Sequence, residues 1–138
     1  MPWPVRHVSV AIARSPADVY AFAAEPANLS RWAAGLASGI TQRDDGTLVA
    51  ASPMGEVIVR FAARNTFGVL DHDVTLPTGE TVSNALRVVP NGDGSEVVFT
   101  LFQRPGMTDD EFVRDAAAVQ RDLETLRGLL ERSPGTGG

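Results

Sequence analysis

Hydrophobic and polar residues alternate along most of the chain, and the spacing changes near the end. Residues 5–13 alternate regularly, which predicts a strand with one buried face. Further strand-like stretches, separated by Gly, Pro and Asp turn signals, follow at residues 38–43, 47–52, 56–63, 68–76, 80–89 and 95–104. Consecutive strands joined by short turns predict an antiparallel sheet with one covered face.

The last quarter of the chain has helical spacing instead. Thr108 and Glu111 form a capping box, with Met107 and Phe112 placed for a hydrophobic staple. At about 1.5 Å per residue the helix is roughly 35 Å long and can cross a whole sheet. Its apolar stripe needs a buried partner, which the strands provide. The stripe consists of Phe112, Ala116, Val119, Leu123, Leu126 and Leu130.

Two short helices are predicted between the first two strands. Ser15 is a helix cap and Pro16 suits the first helical position. Pro26 interrupts this helix, and residues 27–34 predict a second one that carries Trp32. The expected fold is therefore α+β: a curved, seven-stranded antiparallel sheet wrapped around a long C-terminal helix. We expect one domain over residues 1–132 and a flexible tail at residues 133–138.

Two turns determine the register of the last three strands. A three-residue Pro-Thr-Gly loop places His72 opposite Asn84. A four-residue Asn-Gly-Asp-Gly loop places Leu86 opposite Phe99 and brings Gln103 onto the same apolar face. Both loops put the apolar residues on one face of the sheet. A shift of the register by one residue would move every side chain to the opposite face.

Three polar residues, His72, Asn84 and Gln103, thus lie on the apolar face beneath the long helix. A buried polar group without a partner costs about 1–3 kcal/mol, so each needs a protein group, a water or a ligand. His72 and Asn84 are close enough to hydrogen-bond each other, as a purely structural pair would. We predict instead that the three residues line a ligand cavity. Its other residues are Trp32 near the mouth, Val59, Phe61, Leu86, Phe99 and Leu101.

Residues 10–20 (VAIARSPADVY) and 25–32 (EPANLSRW) resemble the strand-to-helix signature of the START-related, or SRPBCC, superfamily. The order of elements resembles that superfamily over nearly the whole chain. The resemblance implies a helix-grip fold. The superfamily holds polyketide cyclases and dehydrases, lipid-transfer domains and allergen-like proteins, so the signature identifies the fold better than the activity.

Composition excludes several classes of function. The formal net charge of −5 argues against a nucleic-acid partner. With no cysteine, two histidines and no spaced carboxylate ligands, we expect neither a metal nor a cofactor. No apolar run approaches the ~18 residues of a membrane span. The N-terminus lacks the pattern of a signal peptide. A cytoplasmic protein with no membrane partner is expected.

The resemblance favours a small-molecule binding protein of the polyketide cyclase/dehydrase type, with a hydrophobic or aromatic ligand. If the protein is an enzyme, His72 is the candidate acid/base, and the resemblance implies cyclisation or dehydration. Asp71 and Asp73 flank His72 along the strand, so they point to the opposite face and do not orient the imidazole.

The alternative is a protein-interaction module, similar to the co-chaperone domains or ribosome-associated toxins of the superfamily. Val98 and Phe102 are apolar residues on the outer face of the predicted sheet. They are candidates for such a contact or for a homodimer interface. A lipid carrier is a third reading, which the bulky inward-facing residues disfavour.

Overall fold

The computed structural model describes residues 1–34, 39–52 and 55–132. The sheet is antiparallel, in the order β1-β7-β6-β5-β4-β3-β2. The predicted helix-grip architecture is confirmed, while the tail at 133–138 lies outside the described residues. The elements are β1 (Val5–Ile12), α1 (Pro16–Ala24), α2 (Pro26–Trp32), β2 (Ile40–Gln42), β3 (Leu48–Ser52), β4 (Gly55–Phe61), β5 (His72–Thr75), β6 (Thr81–Asn91), β7 (Gly94–Phe102) and α3 (Asp109–Arg132).

Helix α3 begins with the predicted capping box. The Glu111 amide donates to Thr108 Oγ1 at 3.1 Å, and the Thr108 amide donates to Glu111 Oε1 at 3.0 Å. The helix packs mainly against β1, with further contacts to α2 and β7. Four residues of its stripe are buried and two, Phe112 and Val119, are half-buried. The stripe therefore forms the core of the domain, as the sequence predicts.

Arg14 joins the end of β1 to both α1 and α3. Its guanidinium donates to the Leu130 carbonyl at 2.6 Å and to Asp18 Oδ2 at 3.0 and 3.3 Å. The neighbouring Ala13 amide donates to Glu131 Oε2 at 2.9 Å. A cation is favourable at a helix C-terminus, where backbone carbonyls lack intrahelical donors. Sequence analysis did not find this cluster.

The predicted strand register is correct where β5, β6 and β7 pair. His72 lies opposite Asn84, and Leu86 lies opposite Phe99. The turn after β6 is tighter than predicted, because Asn91 and Gly94 themselves pair. Strand β6 pairs with β5 up to Asn84 and with β7 from Ala85 onwards, and Arg87 of β6 also forms an isolated bridge with Val69, before β5.

Gln103 is not on the sheet, which corrects one prediction. Strand β7 ends at Phe102, and the Gln103 amide donates to the Pro4 carbonyl at 2.9 Å. Its side-chain nitrogen donates to the Met107 carbonyl at 3.0 Å and to Asp109 Oδ1 at 2.8 Å. Gln103 therefore holds the turn before α3, because the start of that helix offers acceptors that the sheet does not.

The strand predicted at 68–76 is shortened to β5 because Asn65 organises the chain before it. Asn65 Oδ1 accepts the amides of Phe67 and Val69 at 3.0 and 3.1 Å. Its Nδ2 donates to the carbonyls of Ala63 and Val69 at 3.0 and 2.9 Å. These bonds satisfy backbone groups that a strand ladder would otherwise pair, and they form a loop instead.

Candidate ligand site

The concave face of the sheet is closed near β1 and β7 and more open near β4 and β5. Leu86 and Val97 are 1% and 0% exposed. In contrast Phe61, His72 and Asn84 remain half-buried, although strand alternation places them on the same face. The inward-facing surface of β4, β5 and the first half of β6 is therefore the part of the core that a small molecule can reach.

His72 is held on this surface in one orientation. Its Nδ1 lies 2.9 Å from the Leu70 carbonyl oxygen, which only accepts hydrogen bonds, so Nδ1 carries the proton. The ring stacks at a tilt on Phe61, with centroids 4.7 Å apart, and meets Phe99 edge-on at 6.2 Å. Among the described residues nothing bonds to Nε2, which keeps its lone pair as an acceptor.

Burial lowers the pKa of His72 below its ordinary value of 6.5. The bond to the Leu70 carbonyl and the charges of Asp71 and Asp73 raise the pKa and oppose this effect, but burial is the larger influence. Burial disfavours the charged form of the ring. The imidazole is consequently neutral at pH 7.

Asn84 faces His72 as predicted, but the two side chains do not bond to each other. The imidazole Nδ1 is occupied by the Leu70 carbonyl. In the described part of the chain, the side-chain amide of Asn84 has no hydrogen-bond partner. The purely structural His72–Asn84 pair, which was the alternative to a ligand site, is therefore not formed. Two polar groups thus remain available beside the Phe61 ring.

Asp71 and Asp73 point away from the imidazole, as strand alternation requires. Asp71 accepts from the Arg87 guanidinium at 2.7 and 2.9 Å, and this bond lowers the pKa of its carboxyl. Asp73 Oδ1 accepts from the Ser83 hydroxyl at 2.7 Å. Both carboxylates are occupied on the outer face, so the Leu70 carbonyl is what orients His72.

A depression of about 410 Å³ reaches the candidate site. It lies where β6 leaves β7, after the last pair between Ala85 and Thr100. Inward-facing and outward-facing residues both contribute to its lining. The lining residues are Arg60, Phe61, Ala62, Asp71, His72, Asp73, Ser83, Asn84, Ala85 and Phe102.

Of the remaining predicted site residues, only Phe99 joins this surface. Phe99 is half-buried and contacts His72, whereas Val59, Leu86 and Leu101 are buried in the hydrophobic core. Trp32 is also a core residue, and its indole Nε1 has no partner within the described ranges. The structure thus brings together Phe61, His72, Asn84 and Phe99.

A second depression, of about 340 Å³, lies between the two short helices and the ends of β3 and β4, and no sequence pattern predicts it. Arg60, Phe61 and Ala62 line both depressions, which therefore adjoin. Its other lining residues are Tyr20, Ala24, Pro26, Leu29, Asp45, Gly46, Leu48, Ala63, Arg64 and Leu70. Tyr20 lies in the SPADVY segment, which predicts a helix start and carries the superfamily resemblance but does not indicate a binding role.

Over the described ranges, no group of three or more His, Asp and Glu side chains is placed to hold a metal ion. No helix in the same ranges is long and apolar enough to cross a bilayer.

The lowered pKa of His72 predicts a stability difference that depends on pH. The unfolded chain takes up a proton near pH 6.5, whereas the folded chain does so only at lower pH, so protonation favours unfolding. Relative to His72→Phe, the wild type should lose stability as the pH falls below 6.5. Urea denaturation of both proteins from pH 8 to pH 5 measures this difference. A difference that stays constant over that range would contradict the neutral, buried imidazole.

Comparison with known proteins agrees with this fold. The profile of the family described as "Polyketide cyclase / dehydrase and lipid transport" matches residues 6–131. This match confirms the resemblance seen in residues 10–20 and 25–32. No curated protein matches the chain.

Several solved structures are similar to this chain at low sequence identity. The Aha1 dimer from Colwellia psychrerythraea has a TM-score of 0.75 and 14% identity over 96% of this chain and 99% of that one. A conserved protein from Geobacillus kaustophilus has a TM-score of 0.75 and 11% identity over 94% of this chain and 97% of that one. DynU16, from the dynemicin biosynthetic locus, has a TM-score of 0.72 and 12% identity over 93% of this chain and 47% of that one. At these identities the likeness shows the fold alone.

Proposed function

We propose that this chain, which belongs to the polyketide cyclase / dehydrase and lipid transport family, binds a small hydroxylated aromatic molecule. The observation that carries the proposal is the His72 imidazole. It is neutral, fixed by the Leu70 carbonyl, packed against Phe61, and free at Nε2 within the described chain. The family match supports ligand binding in general, and the site geometry supports this kind of ligand.

The polar groups of the site favour a ligand with a hydroxyl group. Nε2 of His72 accepts a hydrogen bond, and the Asn84 amide both donates and accepts. A purely apolar ligand would cover these groups and leave them unpaired, at a cost of about 1–3 kcal/mol. Phe61 and Phe99 offer flat aromatic surfaces to a ring. The depression of about 410 Å³ lies within the usual range for small-molecule sites.

A proton-transfer role for His72 extends the same proposal. Its neutral ring is the basic form, and the bond from Nδ1 to the Leu70 carbonyl fixes the tautomer. A base placed in this way contributes about 10²–10⁴-fold to a reaction rate. Cyclisation or dehydration of a ring-bearing ligand is the reaction class that the family resemblance favours.

An interaction surface is the second candidate, and one observation favours it. Trp3 and Phe102 are 48% and 38% exposed, and their rings meet edge-on at 6.4 Å. Val5 pairs with Phe102 across β1 and β7, and it is also 48% exposed. Val98, the other predicted contact residue, is half-buried. A partner protein or a second copy of the chain would cover this apolar patch.

Two ligands of equal shape test the hydroxyl preference. In calorimetric titrations of the wild type, 2-naphthol should bind about 2- to 10-fold more tightly than 2-methylnaphthalene, because only the hydroxyl hydrogen-bonds to His72. In His72→Phe this preference should fall, because only the Asn84 side chain then remains to bond the hydroxyl. His7→Phe is the matched control, since His7 bonds to Thr100 Oγ1 on the outer face.

Two results would contradict the proposal. In one, the preference for 2-naphthol is undiminished in His72→Phe. In the other, neither compound binds the wild type, which would leave the Trp3–Val5–Phe102 patch as the stronger candidate.

A further inference from the structure

The second depression has the features of a binding site in its own right. Its floor consists of Leu29, Leu48 and Leu70, which are 1%, 3% and 3% exposed. Tyr20 of α1 and Phe61 of β4 contribute aromatic rings to its lining. The ligand proposed above binds at His72, which does not line this hollow, so the hollow needs an explanation of its own.

Tyr20 supplies a hydrogen-bond donor to this hollow. Its hydroxyl oxygen accepts the Asn65 amide at 3.0 Å, and this bond fixes the position of the oxygen. A phenol also carries one proton to donate, and no described residue accepts it. The hydroxyl oxygen of this half-buried residue is therefore anchored as an acceptor, while its proton is free for a ligand.

The charges around the hollow balance each other. Arg60, Arg64 and Asp45 line it, and Glu25 lies 3.7 Å from the Arg64 guanidinium. Asp45 Oδ1 accepts the amide and hydroxyl of Thr47 at 3.0 and 2.6 Å, and these bonds lower the pKa of its carboxyl. The formal charges of these two arginines and two acidic residues cancel. A neutral ligand fits this environment better than an ion, which would upset the balance.

We propose that this hollow is a second small-molecule site, for a neutral and mostly apolar molecule that carries a carbonyl group. The carbonyl oxygen accepts the Tyr20 hydroxyl proton, and the hydrocarbon part rests on Leu29, Leu48 and Leu70. The volume of about 340 Å³ is in the range of small-molecule sites. This site requires no activity at His72, so it stands apart from the function proposed above.

A ketone and an alkene of the same shape test the site. The probes are 2-acetylnaphthalene and 2-isopropenylnaphthalene, titrated into the wild type while the methyl signals of the three floor leucines are followed by NMR. The ketone should bind about 2- to 10-fold more tightly, because only its oxygen accepts a hydrogen bond. In Tyr20→Phe the ratio should fall to about 1. Loss of the bond to Asn65 in Tyr20→Phe affects the ketone and the alkene alike, so the ratio of their affinities does not depend on it.

The chain contains a single tyrosine, which permits a second and more local measurement. Incorporating 3-fluorotyrosine labels Tyr20 alone. Its ¹⁹F signal should move on addition of the ketone and much less on addition of the alkene. A merely structural tyrosine would not distinguish the two probes.

The control is His72→Phe, in which the ratio between ketone and alkene should be unchanged. The inference is overturned if the ratio persists in Tyr20→Phe, if the ¹⁹F signal responds equally to both probes, or if the leucine methyl signals do not shift. A failure of 2-naphthol to bind at His72 would count against the proposed function and leave this site intact.

Discussion

Replacing Gly68 by alanine is expected to lower the free energy of unfolding by about 3–5 kcal/mol, the sum of backbone strain and a steric clash. Gly68 has a φ of +74°, a conformation that L side chains rarely adopt. A Cβ there would lie 2.1 Å from the Val88 carbonyl oxygen, and this backbone atom cannot rotate away. The Val88 amide also donates to the Gly68 carbonyl at 2.9 Å, so the clash would disturb that bond.

Gly79→Ala is the matched control for this substitution. Gly79 has a φ of +92°, but an added Cβ would meet nothing within 4 Å. Its cost should be limited to the left-handed conformation, about 1–2 kcal/mol. Urea denaturation of the three proteins measures both losses. If both variants lost the same free energy of unfolding, the loop before β5 would be able to move and relieve the clash. Gly68 would then not fix the path of the chain towards His72.

Replacing Arg14 by methionine should cost about 2–4 kcal/mol, because it removes the charge that Asp18 pairs with in a half-buried site and a hydrogen bond to the end of α3. The Arg14 and Asp18 side chains are 12% and 21% exposed. Methionine keeps much of the aliphatic stem but removes the bond to the Leu130 carbonyl, at the end of α3. Thermal or urea unfolding measures the loss.

Arg43→Met is the control for an exposed ion pair. The Arg43 and Glu56 side chains are 47% and 67% exposed and lie 3.7 Å apart. An exposed pair of this kind contributes about 0–1 kcal/mol, so little loss is expected. If Arg14→Met lowered the free energy of unfolding as little as Arg43→Met, the Arg14 bonds that join β1 to α1 and α3 would not contribute to stability.

The parts of the fold that depend on neighbouring residues could be predicted from sequence. Ser15 Oγ accepts the Asp18 amide at 3.2 Å, and the Thr108–Glu111 box forms as expected, because both caps are completed within four residues. The register of the last three strands also follows from short loops. A turn fixes which residues face each other, and the apolar pattern agrees with that register.

Features that depend on distant residues could not be predicted in this way. Arg14 bonds to Leu130, which lies 116 positions further along the chain, and no local pattern indicates that contact. Asn65 reads as an ordinary polar residue, yet its four side-chain bonds interrupt the predicted strand. Gln103 fits the apolar face by register, but the start of α3 offers it better acceptors.

Only part of the candidate site could be predicted from the sequence. Strand pairing places the Cα atoms of His72 and Asn84 opposite each other, and this part is correct. Side-chain orientation is a separate matter, because the Leu70 carbonyl competes for the imidazole and lies only two residues away. The Tyr20 hollow was missed because its lining comes from helices, strand ends and loops that only the folded chain brings together.

The most direct test of the central claim is an NMR titration of the wild type with 2-naphthol, read at the ¹⁵N signals of the His72 ring. A hydrogen bond from the hydroxyl should move the Nε2 signal and leave Nδ1 protonated. Nuclear Overhauser contacts should join the naphthol protons to Phe61 and Phe99. An unchanged His72 ring, with contacts confined to Trp3 and Val5 on the outer face, would contradict the account.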